Sequence, residues 1–189
     1  KLKFQKVILE NLTDEDREIS IYYYAQLVLG VFSYGSARYI STSLKDEYIV
    51  GENPYSKYFG KGKAYLTIVG GENLTFTGDR KEFIGIGGTT SRPRALEYNN
   101  LSNKTGSIYD PCLAVKSKLN LKAKEKKEVV ILLGQEESYE DIEKIINKYK
   151  SIENCNNSLE DVKKYWSHFL GNIQVKTKDK SMNYLLNGW

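Results

Sequence analysis

A single histidine, a single methionine, two cysteines and three prolines stand among the 189 residues, and each scarcity closes off a class of chemistry. His168 lies between Trp166 and Phe169 in a helical pattern, with no second imidazole and no cysteine near it in sequence, so a zinc-type ligand set is excluded. A Ser–His–Asp triad would have to use that same helical residue, and is excluded for want of candidates. Cys112 and Cys155 lie far apart in different kinds of segment. That fits reduced, buried thiols of a cytoplasmic protein better than a disulfide framework. Long apolar runs are also missing. The longest, Tyr22 to Phe32, contains Gln26 and Gly30 and is about half of what a bilayer needs. Net charge is only +4. The densest basic stretch places Lys116, Lys118, Lys122 and Lys124 on alternate positions, the expected solvated face of a strand rather than a nucleic-acid site. Asn11, Asn73, Asn103 and Asn157 begin Asn-x-Ser/Thr triplets, which chance explains in a chain rich in these residues.

What is present is a soluble globular composition, 40% apolar and 28% charged, with fifteen tyrosines. The first two-thirds is written in period two. Ile19, Ile21, Tyr23, Leu27 and Leu29 alternate with Ser20, Tyr22, Tyr24 and Gln26, predicting a long half-buried strand. Tyr65–Val69 and Leu74–Thr77 flank Gly70-Gly-Glu-Asn73, which reads as a hairpin. Leu113, Val115, Leu119 and Leu121 are expected to face a core while Lys116, Lys118 and Lys122 face water. After a charged turn at Lys124–Lys127, the continuous run Val129–Leu133 suits a strand covered on both faces. Long antiparallel strands of this kind predict a β-sandwich.

The period changes after Gly134. Ser138 caps a helix with Asp141 in the capping-box position, followed by Ile142, Ile145, Ile146 and Tyr149. Ser158 reads as the start of a second helix, with Leu159, Val162, Trp166, Phe169 and Leu170 on one face. After an extended piece at Ile173–Val175, Asp179 caps a third helix carrying Met182, Leu185, Leu186 and Trp189. That apolar pattern stops on Trp189 with no C-cap, so the chain is expected to be part of a longer protein. Residues 1–136 are expected to form the sandwich and 137–189 a helical linker with the start of a further domain, mainly β (α+β) in class.

Chemistry-bearing residues are few. Asp79 and Glu82 could be paired carboxylates for work on a glycosidic bond, but they are interleaved with Arg80 and Lys81, where charges usually pair with one another. Gly85-Ile-Gly-Gly88 resembles a phosphate loop but lacks the helix that must follow, so a turn is the better reading. The loop Gly51–Gly60 is the polar-aromatic candidate for sugar contact, because carbohydrates stack on aromatic faces beside planar polar groups.

Several short motifs recur in one order: Asn53-Pro-Tyr55 with Phe59-Gly60, Phe76-Thr-Gly-Asp-Arg80, Glu82-Phe-Ile-Gly85, Arg92-Pro93, Ala95-Leu96, Leu101-Ser102, Asp110-Pro-Cys112, Leu132-Leu-Gly134, Trp166, Leu170 and Leu185-Leu-Asn-Gly-Trp189. That order resembles the sandwich-and-linker region of glycoside hydrolase family 94, and within it the phosphorylase-like region of cyclic β-1,2-glucan synthases. The resemblance implies a supersandwich and linker helices leading into an (α/α)6 barrel that holds the active site. It implies cleavage or formation of β-glucosidic bonds with inorganic phosphate as co-substrate, inversion at the anomeric carbon and no other cofactor. The catalytic aspartate is then expected downstream of Trp189, with no catalytic residue in this chain. Asn53, Tyr55, Asp79, Arg80, Glu82 and Arg92 become candidate carbohydrate or interdomain contacts. The implied partners are a β-glucan oligosaccharide through the parent enzyme, its barrel and a second copy, with no nucleic acid and no membrane contact by this segment, although the parent protein could be membrane-associated. Ile86 stands where relatives usually carry arginine, so that role is absent or falls to Arg92 or Arg94. The competing readings are a free-standing carbohydrate-binding module and a dimerisation sandwich.

Overall fold

The computed structural model describes residues 1–58 and 60–188, which fall into two units, Lys1–Ile152 and Glu153–Trp189. Phe59 and Trp189, both quoted in the motifs above, lie outside the described residues. In chain order the elements are β1 (Leu2–Glu10), β2 (Arg17–Gln26), the short α1 (Ser33–Ser36), β3 (Ser41–Lys45), β4 (Tyr48–Glu52), β5 (Lys63–Val69) and β6 (Glu72–Asp79). There follow α2 (Arg80–Phe83), β7 (Gly106–Ser107), β8 (Pro111–Leu121), β9 (Lys126–Glu136), α3 (Tyr139–Lys148), α4 (Ile152–Gly171) and α5 (Lys180–Gly188). The strands pair antiparallel in two sheets, a six-stranded one ordered β1-β9-β5-β4-β3-β7 and a three-stranded one ordered β2-β8-β6.

The sheets face each other across one apolar core. Ile49, Leu66, Ile68, Val129 and Ile131 come from the larger sheet, and Phe76, Leu113, Val115, Leu119 and Leu121 from the smaller. Each side chain buried there contributes about 1.5–3 kcal/mol, so the period-two code of β8 is a main source of stability. Both outer faces are also covered. Tyr48, Val50 and Tyr65 on the larger sheet pack under Ile142 of α3, with Tyr139, Ile145 and Ile146 at its edge. Val130 and Leu132 of β9 are fully buried between their core-facing neighbours, as a strand covered on both faces requires. On the smaller sheet, Cys112 and Ala114 lie under Phe83, Ile84, Ala95 and Leu101, contributed by the excursion between β6 and β7.

That second cover corrects the reading of the lysine row. Lys116 is 2% exposed. It shares its face with Cys112 and Ala114, lies opposite Tyr22 in the register, and donates its Nζ to the Asn99 carbonyl. Its ammonium lies 5.7 Å from the Tyr22 ring centroid. Alternation correctly assigns it to the outer face; that face is covered by protein there. Further along, Lys118 is half-buried in an ion pair with Glu18 at 2.8 Å, and Lys122 is exposed.

The hairpin expected around Gly70 is also absent. β5 pairs with β4 and β9, and β6 pairs with β8, so Gly70-Gly71 carries the chain from one sheet to the other. Gly70 sits at φ +85°, and a Cβ there would meet the Glu128 carbonyl and the Ile152 side chain at 2.8 Å. A sheet switch this close to neighbouring backbone needs glycine, and local sequence cannot distinguish it from a hairpin turn. β1, β3 and β4 carried no clear alternation signal. Asn11, one of the triplet asparagines, is buried. Its amide donates to Glu15 and Lys122 carbonyls at 2.8 and 2.9 Å, which commits it to the turn before β2.

Ser138 caps α3 as expected. Its hydroxyl accepts from the Asp141 amide at 3.1 Å and donates to the Asp141 carboxylate at 2.8 Å. α4 begins at Ile152, earlier than the expected start at Ser158. No glycine or proline interrupts that stretch, so a helix begun upstream runs through the serine. Asp179 caps α5 by accepting from the Ser181 amide at 2.8 Å.

Within the second unit the extended segment is held by α5 rather than by a strand. Asn187 accepts from the Val175 amide and donates to its carbonyl, both at 2.8 Å. Asn183 does the same for Thr177 at 2.7 and 3.0 Å. Four residues of helix advance about 6 Å and two residues of extended chain about 6.6 Å, so the two amides match alternate backbone groups. Replacing both asparagines with leucine keeps helix propensity while removing this pairing. The Val175 and Thr177 amides of that variant are expected to exchange hydrogen at least about tenfold faster; unchanged protection would show that other contacts hold the segment.

The buried thiol of Cys112 provides a second check. Burial foremost, then the charges of Asp79, Asp110 and Glu82, push its pKa far above its ordinary 9.0. The unfolded chain releases this proton near pH 9 and the native chain retains it, so stability falls as pH rises past that point. Unfolding free energies measured by urea titration between about pH 9 and pH 10 should fall less steeply in Cys112→Ala, by up to about 1.4 kcal/mol per pH unit. Identical slopes would mean that Cys112 titrates as an exposed thiol.

Candidate functional site

Strand β6 loses register with β8 between Thr77 and Asp79, and this irregularity turns the chain into α2. Asp79 is the N-cap of that short helix, accepting from the Lys81 amide at 2.9 Å. Its other oxygen receives Lys104 at 2.6 Å, an interaction that raises the Lys104 pKa. Glu82, one turn on, accepts from the Thr77 hydroxyl at 2.6 Å and from both the amide and the hydroxyl of Ser102 at 2.7 Å. Arg80 pairs with Asp110 at 3.2 Å through its side chain, and its amide donates to the Asp110 carbonyl at 3.0 Å.

These bonds join four stretches of chain: the end of β6, α2, residues 101–104 and the start of β8. Asn103 completes the clamp from a left-handed backbone (φ +59°), its side chain accepting from the Phe76 amide and its own amide donating to the Phe76 carbonyl, both at 2.8 Å. A general acid or a phosphate-binding cation has to meet substrate with hydrogen-bonding capacity to spare. Asp79 is buried, and both carboxylates already accept several donors from their own chain. The arrangement is a polar staple that fixes the cover of the smaller sheet. Ser102, Asn103 and Lys104 are its unforeseen members; the Leu101-Ser102 motif was the available hint.

The remaining candidates lie elsewhere. Asn53 is buried, and its amide donates to the Leu29 carbonyl at 2.9 Å, so it anchors one loop to another instead of presenting a group to solvent. Tyr55 is exposed and stacks on Tyr39, with ring centroids 4.1 Å apart and planes 15° apart. Arg38 sits over the Tyr39 ring, 5.7 Å from its centroid. Arg92 is exposed in a small bridge with Thr89, and no ion pair joins it to the staple among the described residues. Ile86 is 87% exposed, and Arg94 stacks over Tyr98.

A cleft of about 510 Å³ has Arg38, the neighbour of Tyr39 in sequence, in its lining. Tyr34 and Ser33 from the α1 segment, Arg38, Gln26 at the end of β2, and Tyr109 with Asp110 line it. No sequence motif marked Tyr34, Arg38 or Tyr109. Asp110 was quoted only as part of Asp110-Pro-Cys112. No group of three or more His, Cys, Asp or Glu suited to a metal ion occurs among the described residues, and no described helix is long and apolar enough to cross a membrane.

Comparison with known proteins agrees with this architecture. The family model described as "Glycosyl hydrolase 94, supersandwich domain" matches residues 1–152. The cyclic beta-(1,2)-glucan synthase NdvB of Rhizobium meliloti is 24% identical over 99% of this chain, which spans 7% of that protein. The N,N'-diacetylchitobiose phosphorylase of Vibrio furnissii is 23% identical over 97% of this chain, which spans 23% of it. The cellobionic acid phosphorylase of Neurospora crassa is 30% identical over 58% of this chain and 14% of its own length. With two antiparallel sheets packed face to face across residues 1–152, the chain belongs to glycoside hydrolase family 94 through its supersandwich domain.

Proposed function

We propose that this chain is the non-catalytic sandwich and linker of a β-glucan-processing enzyme, a cyclic β-1,2-glucan synthase or a related inverting glycoside phosphorylase that uses inorganic phosphate. In this reading the sandwich supports a helical catalytic barrel in the cytoplasm and contributes to dimerisation and substrate binding. One observation carries it: the conspicuous carboxylates, Asp79 and Glu82, are consumed by structural hydrogen bonds. The distribution of apolar surface supports it too. On α4, Val162, Trp166, Phe169 and Leu170 are each more than half exposed, and Trp166 meets Phe169 edge-on at 5.9 Å. On α5, Met182, Leu185 and Leu186 are exposed. Helix faces of this kind are normally buried against other helices, and the proposal assigns them to the barrel. The printed names of the relatives, a cyclic beta-(1,2)-glucan synthase and an N,N'-diacetylchitobiose phosphorylase, support the enzyme class proposed.

Two results are expected. Incubated with β-1,2-gluco-oligosaccharides and phosphate, the chain should release no glucose 1-phosphate; steady turnover by clean protein would contradict the proposal. Glu82→Ala should lower unfolding stability by about 2 kcal/mol, because Thr77 and Ser102 lose a charged acceptor. A Glu82→Ala variant as stable as the parent chain would show that the carboxylate is not a structural group.

A further inference from the structure

We propose that the cleft between Tyr34 and Tyr109 binds a neutral, β-linked pyranose chain. This deepens the reading above, on which it rests for the choice of sugars. Its volume of about 510 Å³ falls within the ~300–1,000 Å³ typical of small-ligand clefts. Tyr34 and Tyr109 are 86% and 80% exposed, yet both line a concave surface. Pyranose rings offer a hydrophobic face of C–H groups and an equatorial rim of hydroxyls. The first suits an aromatic face, and the second suits planar side chains that donate or accept in pairs.

The polar groups of the cleft are of that planar kind and are held in place. Asp110 is fixed twice by Arg80, through its carboxylate at 3.2 Å and its carbonyl at 3.0 Å, and its side chain remains 33% exposed. Arg38 rests over Tyr39, which is itself stacked on Tyr55, so the guanidinium is placed before any ligand arrives. Lys81 lies 5.7 Å from the Tyr109 ring centroid, and that ring is otherwise open to solvent. Preorganisation of this sort lowers the ordering cost of binding. Asp110, held by Arg80, can accept from sugar hydroxyls, and Arg38 can donate to them, as a polyhydroxylated neutral ligand requires. A protein contact would draw on the exposed aliphatic and aromatic side chains nearby, but Val31 and Phe32 do not line the cleft.

The test uses the 189-residue chain and three probes: a β-1,2-linked glucotriose, N,N'-diacetylchitobiose and cellobionic acid. Calorimetry or amide-shift titration is expected to show binding of at least one neutral sugar with Kd of about 1 mM or tighter. Tyr34→Ala, Tyr109→Ala and Arg38→Ala should each weaken it at least tenfold, while Tyr58→Ala, exposed but outside the cleft, should leave it unchanged. Circular dichroism would confirm that the variants fold. Absence of binding by both neutral sugars, binding of the anionic cellobionic acid alone, or binding indifferent to the three variants would overturn the proposal. So would a self-association that the same variants abolish in the absence of sugar. None of those results touches the non-catalytic reading, which stands or falls on phosphorolysis.

Discussion

Strand β8 is buried on both of its faces along most of its length, and that constraint organises much of the first unit. Its inner face, Leu113, Val115, Leu119 and Leu121, closes the sandwich against the larger sheet. Its outer face, Cys112, Ala114 and Lys116, would waste apolar area in water unless something covered it. The excursion between β6 and β7 supplies the cover through Phe83, Ile84, Ala95 and Leu101. An irregular segment laid over a sheet must find partners for its own polar groups. The charged run Asp79–Glu82 serves that need, tying the cover to Thr77, Ser102, Lys104 and Asp110. The most conspicuous cluster in the sequence is thus explained by packing.

Legibility followed the range of the interaction. The sandwich class, the core side of β8, the buried run in β9 and the caps of α3 and α5 depend on period or on neighbours within four residues, and all could be read from the chain. The sheet switch at Gly70 and the burial of Lys116 depend on residues tens of positions away. A glycine pair between two strand patterns looks the same whether the strands pair with each other or with different sheets. A lysine on an alternating strand looks solvated until the segment lying over it is known. Ser158 misled because a good capping residue is also tolerated inside a helix, and the asparagine-rich residues before it are weak helix formers that gave no sign of the earlier start at Ile152.

The candidate contacts separate along the same line. Asn53, Asp79, Arg80 and Glu82, read as candidate carbohydrate or interdomain contacts, bond to groups of their own chain. Arg92 is exposed but isolated from them. Tyr55 alone leads toward a surface of chemical interest, through its stack on Tyr39 and the neighbouring cleft. The residues lining that cleft, drawn from the end of β2, the α1 segment and the start of β8, are separated by up to eighty-odd positions and share no motif.

If the sandwich and linker serve a separate helical catalytic body, as proposed, the exposed apolar side chains of α4 and α5 become hidden against it. Hydroxyl-radical footprinting of Trp166, Phe169 and Met182 in this chain alone, and in a longer protein that joins it to the proposed catalytic barrel, tests this directly. All three residues are at least half exposed here. Their modification rates are expected to fall at least about fivefold in the longer protein, while those of Ile86 and Tyr58, exposed in the first unit, change little. Equal rates for Trp166, Phe169 and Met182 in the two proteins would contradict it.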